Sequence, residues 1–392
     1  MTTYDVIVVG ARCAGSPTAM LLARRGLRVL VVDRARFPSD TVSTHILHPL
    51  GVAALQRWGL MRAVAGCPAI DTYYVDFGPV SLTGAPGTPD APIAYAPRRT
   101  DLDAVLVEGA AGGGAEVRQG FTVTKVLVED DRVVGIRGRD AGGATVTERA
   151  RVVIGADGLH SIVAETVRPE AYRERPRLLA GYYGYWSGLP MDGVFETYVR
   201  PPRGIAVWAT SAGLTVVIAG WPYAEFARNR SDAERHYRAA IDLVPDLAER
   251  IAGARLETRV VGAAVPNYFR KPFGPGWALV GDAGYLKDFI TGQGMQDAFR
   301  DAELCATAVA DALEGRRPFE SGMADYQTVR DAAVNGMYEL TCELAMLEPP
   351  PPEMERLFGS LVGDQAGMDL FARVCAGVTP PEELFAHAAE RS

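Results

Sequence analysis

Between Tyr4 and Asp33 the chain runs through an apolar stretch, a glycine turn, a helical stretch, a second apolar stretch and a terminal acid. Few folds accept that order. Residues 4–9 are short and β-branched, as expected of a buried parallel strand. Gly10-Ala-Arg-Cys-Ala-Gly15 follows, then a helix predicted over 16–25 with Gly26 in the C′ position. A second strand over 28–32 ends on Asp33. This is the opening βαβ unit of a dinucleotide-binding sheet, in which the helix N-terminus offers free N–H groups and a positive dipole end to a pyrophosphate. Gly10, Ala14 and Gly15 are turn candidates for cofactor binding, and Asp33, with Arg34 beside it, is placed to meet a ribose diol. Arg12 stands where the second glycine of G-x-G-x-x-G is usual; it is expected either to point outward or to add a cationic contact to the phosphates. Alone, the turn admits NAD or FAD.

Two later clusters narrow this. A β-meander predicted over 122–128, 133–137 and 145–149 leads into Val152-Val-Ile-Gly-Ala-Asp157-Gly158-Leu-His-Ser161. Farther on, Trp277-Ala-Leu-Val-Gly281-Asp282-Ala-Gly-Tyr285 leads into Thr291-Gly292-Gln293-Gly294-Met295. With these three fingerprints in this order, the chain resembles FAD-dependent monooxygenases of the para-hydroxybenzoate hydroxylase type (group A), over about residues 4–315.

The resemblance implies FAD as cofactor and assigns roles. Asp282 would bond the ribityl hydroxyls, and the backbone around Gly292, Gly294 and Met295, opening a helix, would face the flavin edge that becomes negative on reduction. Arg99 matches the family's cofactor-contacting arginine, Asp157 belongs to the Asp-Gly motif, and Thr44 and His45 lie where the family chain passes the isoalloxazine. Departures touch the chemistry: Tyr285 replaces a frequent histidine, Phe289 a usual proline beside the flavin, and Ala164 the arginine that completes the Asp-Gly motif. His45, Tyr285 and Phe289 are therefore the flavin-proximal catalytic candidates. Because the Asp-Gly motif is tied in the family to both FAD and NAD(P)H, NADPH or NADH as reductant is a weaker implication than FAD.

With 392 residues, two structural regions sharing one core are expected. The fold class is α/β: a Rossmann-type FAD-binding domain in two parts (1–175 and 273–315), an inserted, mainly antiparallel substrate sheet (176–272) and C-terminal helices (316–392). In the insert, Tyr183, Tyr185, Trp208 and Trp221 are candidates to line an aromatic-accepting pocket, with sheet packing as the alternative. His45 and His48 could orient substrate or exchange protons, or simply pack.

A net charge of −8 argues against a nucleic-acid-binding surface. Five scattered cysteines without CxxC suggest neither a disulfide framework nor zinc, and no His/Asp/Glu set has metal-ligand spacing. No secretion signal or membrane-spanning run is read, so a soluble, cytoplasmic protein is expected, with a homodimer left open. The leading functional expectation is monooxygenation of an aromatic or polycyclic small molecule of secondary metabolism by FAD, O2 and NAD(P)H. The runner-up is reduction or dehydrogenation at C=C bonds in the manner of geranylgeranyl reductases; a flavin-binding partner without turnover comes last. A flavin-dependent halogenase is set aside, because no lysine precedes Lys125 and the tryptophan-rich WxWxIP motif is missing.

Overall fold

The computed structural model describes residues 3–389; Met1 and Thr2 of the N-terminal reading lie outside the described residues. β1 (Thr3–Val9) is flanked in parallel by β2 (Val29–Asp33) and by the C-terminal half of the strand Thr145–Gly155. Val6, Ile7 and Val8 are wholly buried, which accounts for an unbroken apolar run where a one-faced strand would alternate. The sheet continues to Glu116–Gln119 beyond β2 and to Trp277–Leu279 and Phe273–Gly274 beyond 145–155. Helix α1 (Gly15–Arg24) and the helices Arg99–Gly112 and Gly294–Leu313 share the core on one face. The meander Thr122–Glu129 and Arg132–Arg139 covers the other. Residues 145–149 close the meander, and the same strand then continues parallel to β1. One strand thus does what two sequence segments were expected to do.

The second sheet runs Arg255–Leu256, Leu179–Ser187, Thr215–Pro222, Arg203–Ala209, Val194–Arg200, Thr72–Asp76, Ser81–Gly84. Its central strands are antiparallel, as expected of the insert. The last two correct the expected partition, which gave all of 1–175 to the first part of the dinucleotide domain. Thr72–Asp76 joins the second sheet, parallel to Val194–Arg200, before the chain returns at Arg99. The cause is a period-two pattern in which Tyr73 and Val75 are buried and their neighbours half-buried.

Helices Ala233–Ile241 and Pro245–Ala252 pack on the back of this sheet against Trp186, Trp221 and Val217. Pro245, at the first turn of the second helix, marks the break between them. C-terminal helices follow at Phe319–Leu344, Pro352–Leu361, Gln365–Cys375 and Pro381–Ala389. The first lies along 294–313 and the third against Ser81–Gly84. Among the described residues no helix is long and apolar enough to cross a membrane, and no cluster of three His, Cys, Asp or Glu could hold a metal.

Candidate functional site

A cavity of about 830 Å³ runs from the turn after β1 to the front face of the second sheet. Its first wall is backbone. Gly10 has φ +99°, and a Cβ there would lie 2.4 Å from the Ala156 carbonyl oxygen; a Cβ on Gly15 would lie 1.8 Å from that of Gly10. Neither position can carry a side chain without moving β1, α1 or strand 145–155. Gly10 and Ala14 line the cavity, whereas Gly15 sits behind them and lets helix and strand close up. No side chain caps α1. Asp33 braces the turn by accepting from the Ala11 N–H (2.8 Å) and the Ala35 N–H (2.7 Å), and it lines the cavity with Arg34.

Arg12 follows neither expectation alone. Its guanidinium bonds the Asp103 carboxylate and donates to Ser39 O and Oγ at 3.1 Å each, so it runs along the cavity wall and stays on its lining. Arg99 donates from Nε and Nη2 to Asp103 Oδ1, both at 3.0 Å, and also lines the cavity. Asp103, fully buried, thus holds two cavity arginines. Sequence reasoning missed it, although its i+4 spacing from Arg99 places both on one face of the helix Arg99–Gly112.

Asp157 accepts from the Ile162 N–H (2.8 Å), while its Oδ1 is buried without a partner at the cavity wall; burial raises its pKa. Asp282, in the short turn Gly281–Ala283, opens its accessible surface on the cavity while protein surrounds it. Desolvation pushes its carboxyl up to about 6, against the opposing charge of Arg99. Gly292, at φ +65°, has no room for a Cβ beside Ile46 Cγ2 (2.4 Å). Gly292, Gly294, Met295 and Thr44 all face the cavity.

His48 locks that turn from behind. Its Nε2 lies 3.0 Å from the Thr291 carbonyl, which can only accept, and its Nδ1 lies 2.6 Å from Tyr73 Oη. The neutral ring therefore donates through Nε2 and accepts through Nδ1, and burial depresses its pKa to about 4. His48 does not line the cavity.

The far end is built from Phe289, Gly181, Tyr183, Ile218, Ala263 and Val265. The Phe289 ring packs on Gly181, where a Cβ would come within 2.5 Å of Phe289 Cε2. Lys287 and Asp288, buried charges that the sequence reading passed over, also line it. Lys287 Nζ is ion-paired to Asp297, which Arg300 also bonds at 2.9 Å.

The remaining candidates lie off the cavity lining. His45 is wholly buried with Nε2 2.5 Å from Tyr185 Oη, and burial depresses its pKa to about 3. Tyr185 is engaged by His45 and lies under the Arg98 guanidinium (4.5 Å). Tyr285 belongs to an aromatic cluster with Phe269 and Tyr338. Trp208 stacks on Phe195. Trp221 is on the back face, stacked on Tyr182, because strand parity sends it away from Ile218. Of the four substrate-side aromatics, Tyr183 is the one on the lining.

A family model described as an FAD binding domain matches residues 3–341. The chain is 24% identical over 359 residues to digeranylgeranylglycerophospholipid reductase 1 of Methanopyrus kandleri, covering 88% of this chain and 91% of that protein. It is 23% identical over 354 residues to squalene epoxidase of Candida albicans, covering 77% and 71%. The solved structure of the flavin-dependent brominase Bmp2 superposes with a TM-score of 0.84 at 19% identity, over 100% of this chain and 99% of that one, a likeness of fold. The glycine turn, the Asp-Gly and Gly-Asp segments and the cavity they share have the same explanation: the chain belongs to the FAD binding domain family and is a flavin-dependent oxidoreductase.

Proposed function

We propose that this chain is an FAD-dependent monooxygenase that takes electrons from NADPH or NADH and acts with O2 on an apolar aromatic or polycyclic small molecule. The observation that carries the reading is one continuous cavity joining a dinucleotide cradle to an apolar end beneath an aromatic sheet face. Bound FAD supplies the electron transfer and the activation of oxygen, and the protein's task is to hold, orient and desolvate.

In this reading Gly10 and Ala14 bring backbone to the pyrophosphate, with Arg12 and Arg99 as its cations, while Asp33 and Arg34 meet the adenosine ribose. Asp157 takes the next position along the cofactor, and Asp282 binds the ribityl chain. The amides from Gly292 to Met295 face the developing negative charge, with no reorganisation needed because His48 fixes the turn beforehand. Thr44 flanks the ring, and Phe289 and Tyr183 enclose the substrate. His45, through Tyr185, and Tyr285, through its aromatic cluster, act as positioning residues.

A second reading, reduction of a C=C bond, is favoured by the name of the Methanopyrus kandleri relative. The two separate on one experiment. The FAD-loaded enzyme is reduced anaerobically and mixed with a substrate panel of polycyclic aromatics and polyprenyl lipids, with and without ¹⁸O₂. Oxygenation predicts ¹⁸O in the product and no flavin reoxidation by substrate without oxygen. Anaerobic reoxidation that yields a product heavier by two hydrogens refutes it.

A further inference from the structure

Two glutamines at the start of the helix Gly294–Leu313 turn their side chains away from the cavity. Gln293 is the N-cap residue, yet no side chain caps this helix, which leaves its first N–H groups to a ligand. Gln293 Nε2 donates instead to Cys375 O at 3.3 Å, and Gln296 Nε2 donates to Ala376 O at 3.2 Å. Both glutamines are buried, and their i+3 spacing sets them on one face. At the other end of the turn, Thr291 is held by His48 through its carbonyl and lies with its Oγ1 3.0 Å from Thr341 Oγ1.

The two acceptors end the C-terminal helix Gln365–Cys375, where a helix has carbonyls with no partner of its own. Gly377 closes that end in the left-handed conformation, φ +66°, and a Cβ there would lie 2.8 Å from Nε2 of both glutamines. The helix is seated from its other side as well. Ala372 and Ala376, one turn apart, belong to a buried cluster with Ile46, Tyr73 and Trp208. Ile46 in turn fills the space beside Gly292. Helix 365–375 lies outside the residues 3–341 that match the FAD binding domain family, yet it grips the turn on which that domain's cavity depends.

We infer that helix 365–375 is a positioning element for the flavin: through Gln293 and Gln296 it fixes the direction of the N–H groups from Gly292 to Met295, and so raises the redox potential of the bound cofactor. The inference rests on the reading that this turn faces the flavin. Fixed N–H dipoles favour the reduced, more negative flavin over the oxidised one, and a turn free to tilt loses part of that preference.

The test measures the midpoint potential of FAD-loaded protein by dye equilibration during anaerobic reduction. The double variant Gln293→Met with Gln296→Met keeps side-chain length and removes both donors. It should bind reduced flavin about tenfold less well relative to oxidised flavin, read as a fall of about 30 mV for two electrons. Each single variant should show part of that fall, which decides the matter if the double variant does not retain FAD. Gly377→Ala should lower the potential in the wild-type chain and lower it no further in the double variant. Gln365→Met, at the far end of the same helix where the side chain bonds Asp369 and Thr83 O, should leave it unchanged. Glutamine variants with lowered thermal stability and an unchanged potential, or an equal fall in Gln365→Met, would mean that the helix merely packs, and overturn the inference. Gly292→Ala, which distorts the turn itself against Ile46, separates this inference from the reading beneath it. If it shifts the potential while the glutamine variants do not, the role of the helix fails alone; if it too leaves the potential unchanged, the placement of the flavin fails with it. The expected potentials without ¹⁸O incorporation on the same samples keep the helix's role and remove the oxygenase reading.

Discussion

Substituting Asn for Asp103 removes one charge from the cavity wall at constant volume. Asp103 is fully buried, Arg99 has a tenth of its side chain accessible and Arg12 a quarter. Breaking a buried pair by neutralising one partner costs about 3–5 kcal/mol, because the other charge stays buried. Here the cost is moderated. Asn retains a neutral acceptor for Arg99, and Arg12 keeps its bonds to Ser39. The expected loss is thus the lower figure, about 3 kcal/mol, or a fall of about 1 M in urea midpoint at a slope of about 3 kcal/mol/M. The assay is urea unfolding of FAD-saturated protein by far-UV circular dichroism, run as a cycle with Arg12→Gln. The double variant should lose less than the sum of the singles by about 1 kcal/mol or more, since the second change removes a charge the first left unpaired. A loss under about 1 kcal/mol, or simple additivity, would show that Asp103 does not hold the two arginines together.

Three further outcomes are expected. Gly10→Ala meets both the positive φ and the Ala156 carbonyl, so it should cost more than the roughly 1–2 kcal/mol of left-handed strain and lower bound flavin per chain, measured by the ratio of flavin to protein absorbance. Gly181→Ala should displace the Phe289 ring and shift the bound-flavin spectrum, and Phe289→Ala in the same chain should restore stability; a double variant no more stable than Gly181→Ala would exclude this contact as the cause. For pH, the signs differ between His48 and Asp288. His48 has its folded pKa depressed to about 4, so the stability from its neutral ring is full above about 6.5 and lost as pH falls towards 4. Asp288 has its folded pKa raised to about 7, so its contribution is full below the unfolded value and lost as pH rises through 7. His48→Asn should remove a rise in stability with pH between about 4 and 6.5, and Asp288→Asn should remove a fall between about 4 and 7, both read by thermal unfolding from pH 4 to 8.5.

The parts of this molecule legible in the sequence are those fixed by neighbours along the chain. The unit from β1 to β2 could be read because turn, helix and acid lie within one short stretch, and the glycines needed at Gly10, Gly15 and Gly292 are needed for backbone reasons that no distant residue alters. Fold class and FAD followed from the order of such local pieces. What was not legible depends on facing and burial. Strand parity puts Trp221 behind the sheet and Tyr183 in front, yet nothing in either stretch says which face meets the flavin domain. Tyr285 was singled out for its place in a motif, but pairing of Tyr285–Leu286 with Asn267–Arg270 turns it into an aromatic cluster. The strands 72–84 were absorbed into the first domain because their partner, Val194–Arg200, is far along the sequence. Lys287 and Asp288 stood between the two quoted stretches 277–285 and 291–295, but a buried charge becomes a signal only when its surroundings are known. Asp103 is the exception, since its spacing from Arg99 was there to be used.

Gly10, Asp33, Asp282, Gly292 and Gly294 line one cavity, and in the proposed function the first two would hold the adenylate half of FAD and the others the flavin half. The direct measurement is a titration of the flavin-free protein with FAD and, separately, with FMN, which lacks the adenylate, followed by flavin fluorescence. One FAD per chain is predicted, with FMN bound at least about 100-fold more weakly, a difference of about 2.7 kcal/mol carried by the adenylate contacts. FMN bound as tightly as FAD, or no saturable binding of FAD, would contradict it.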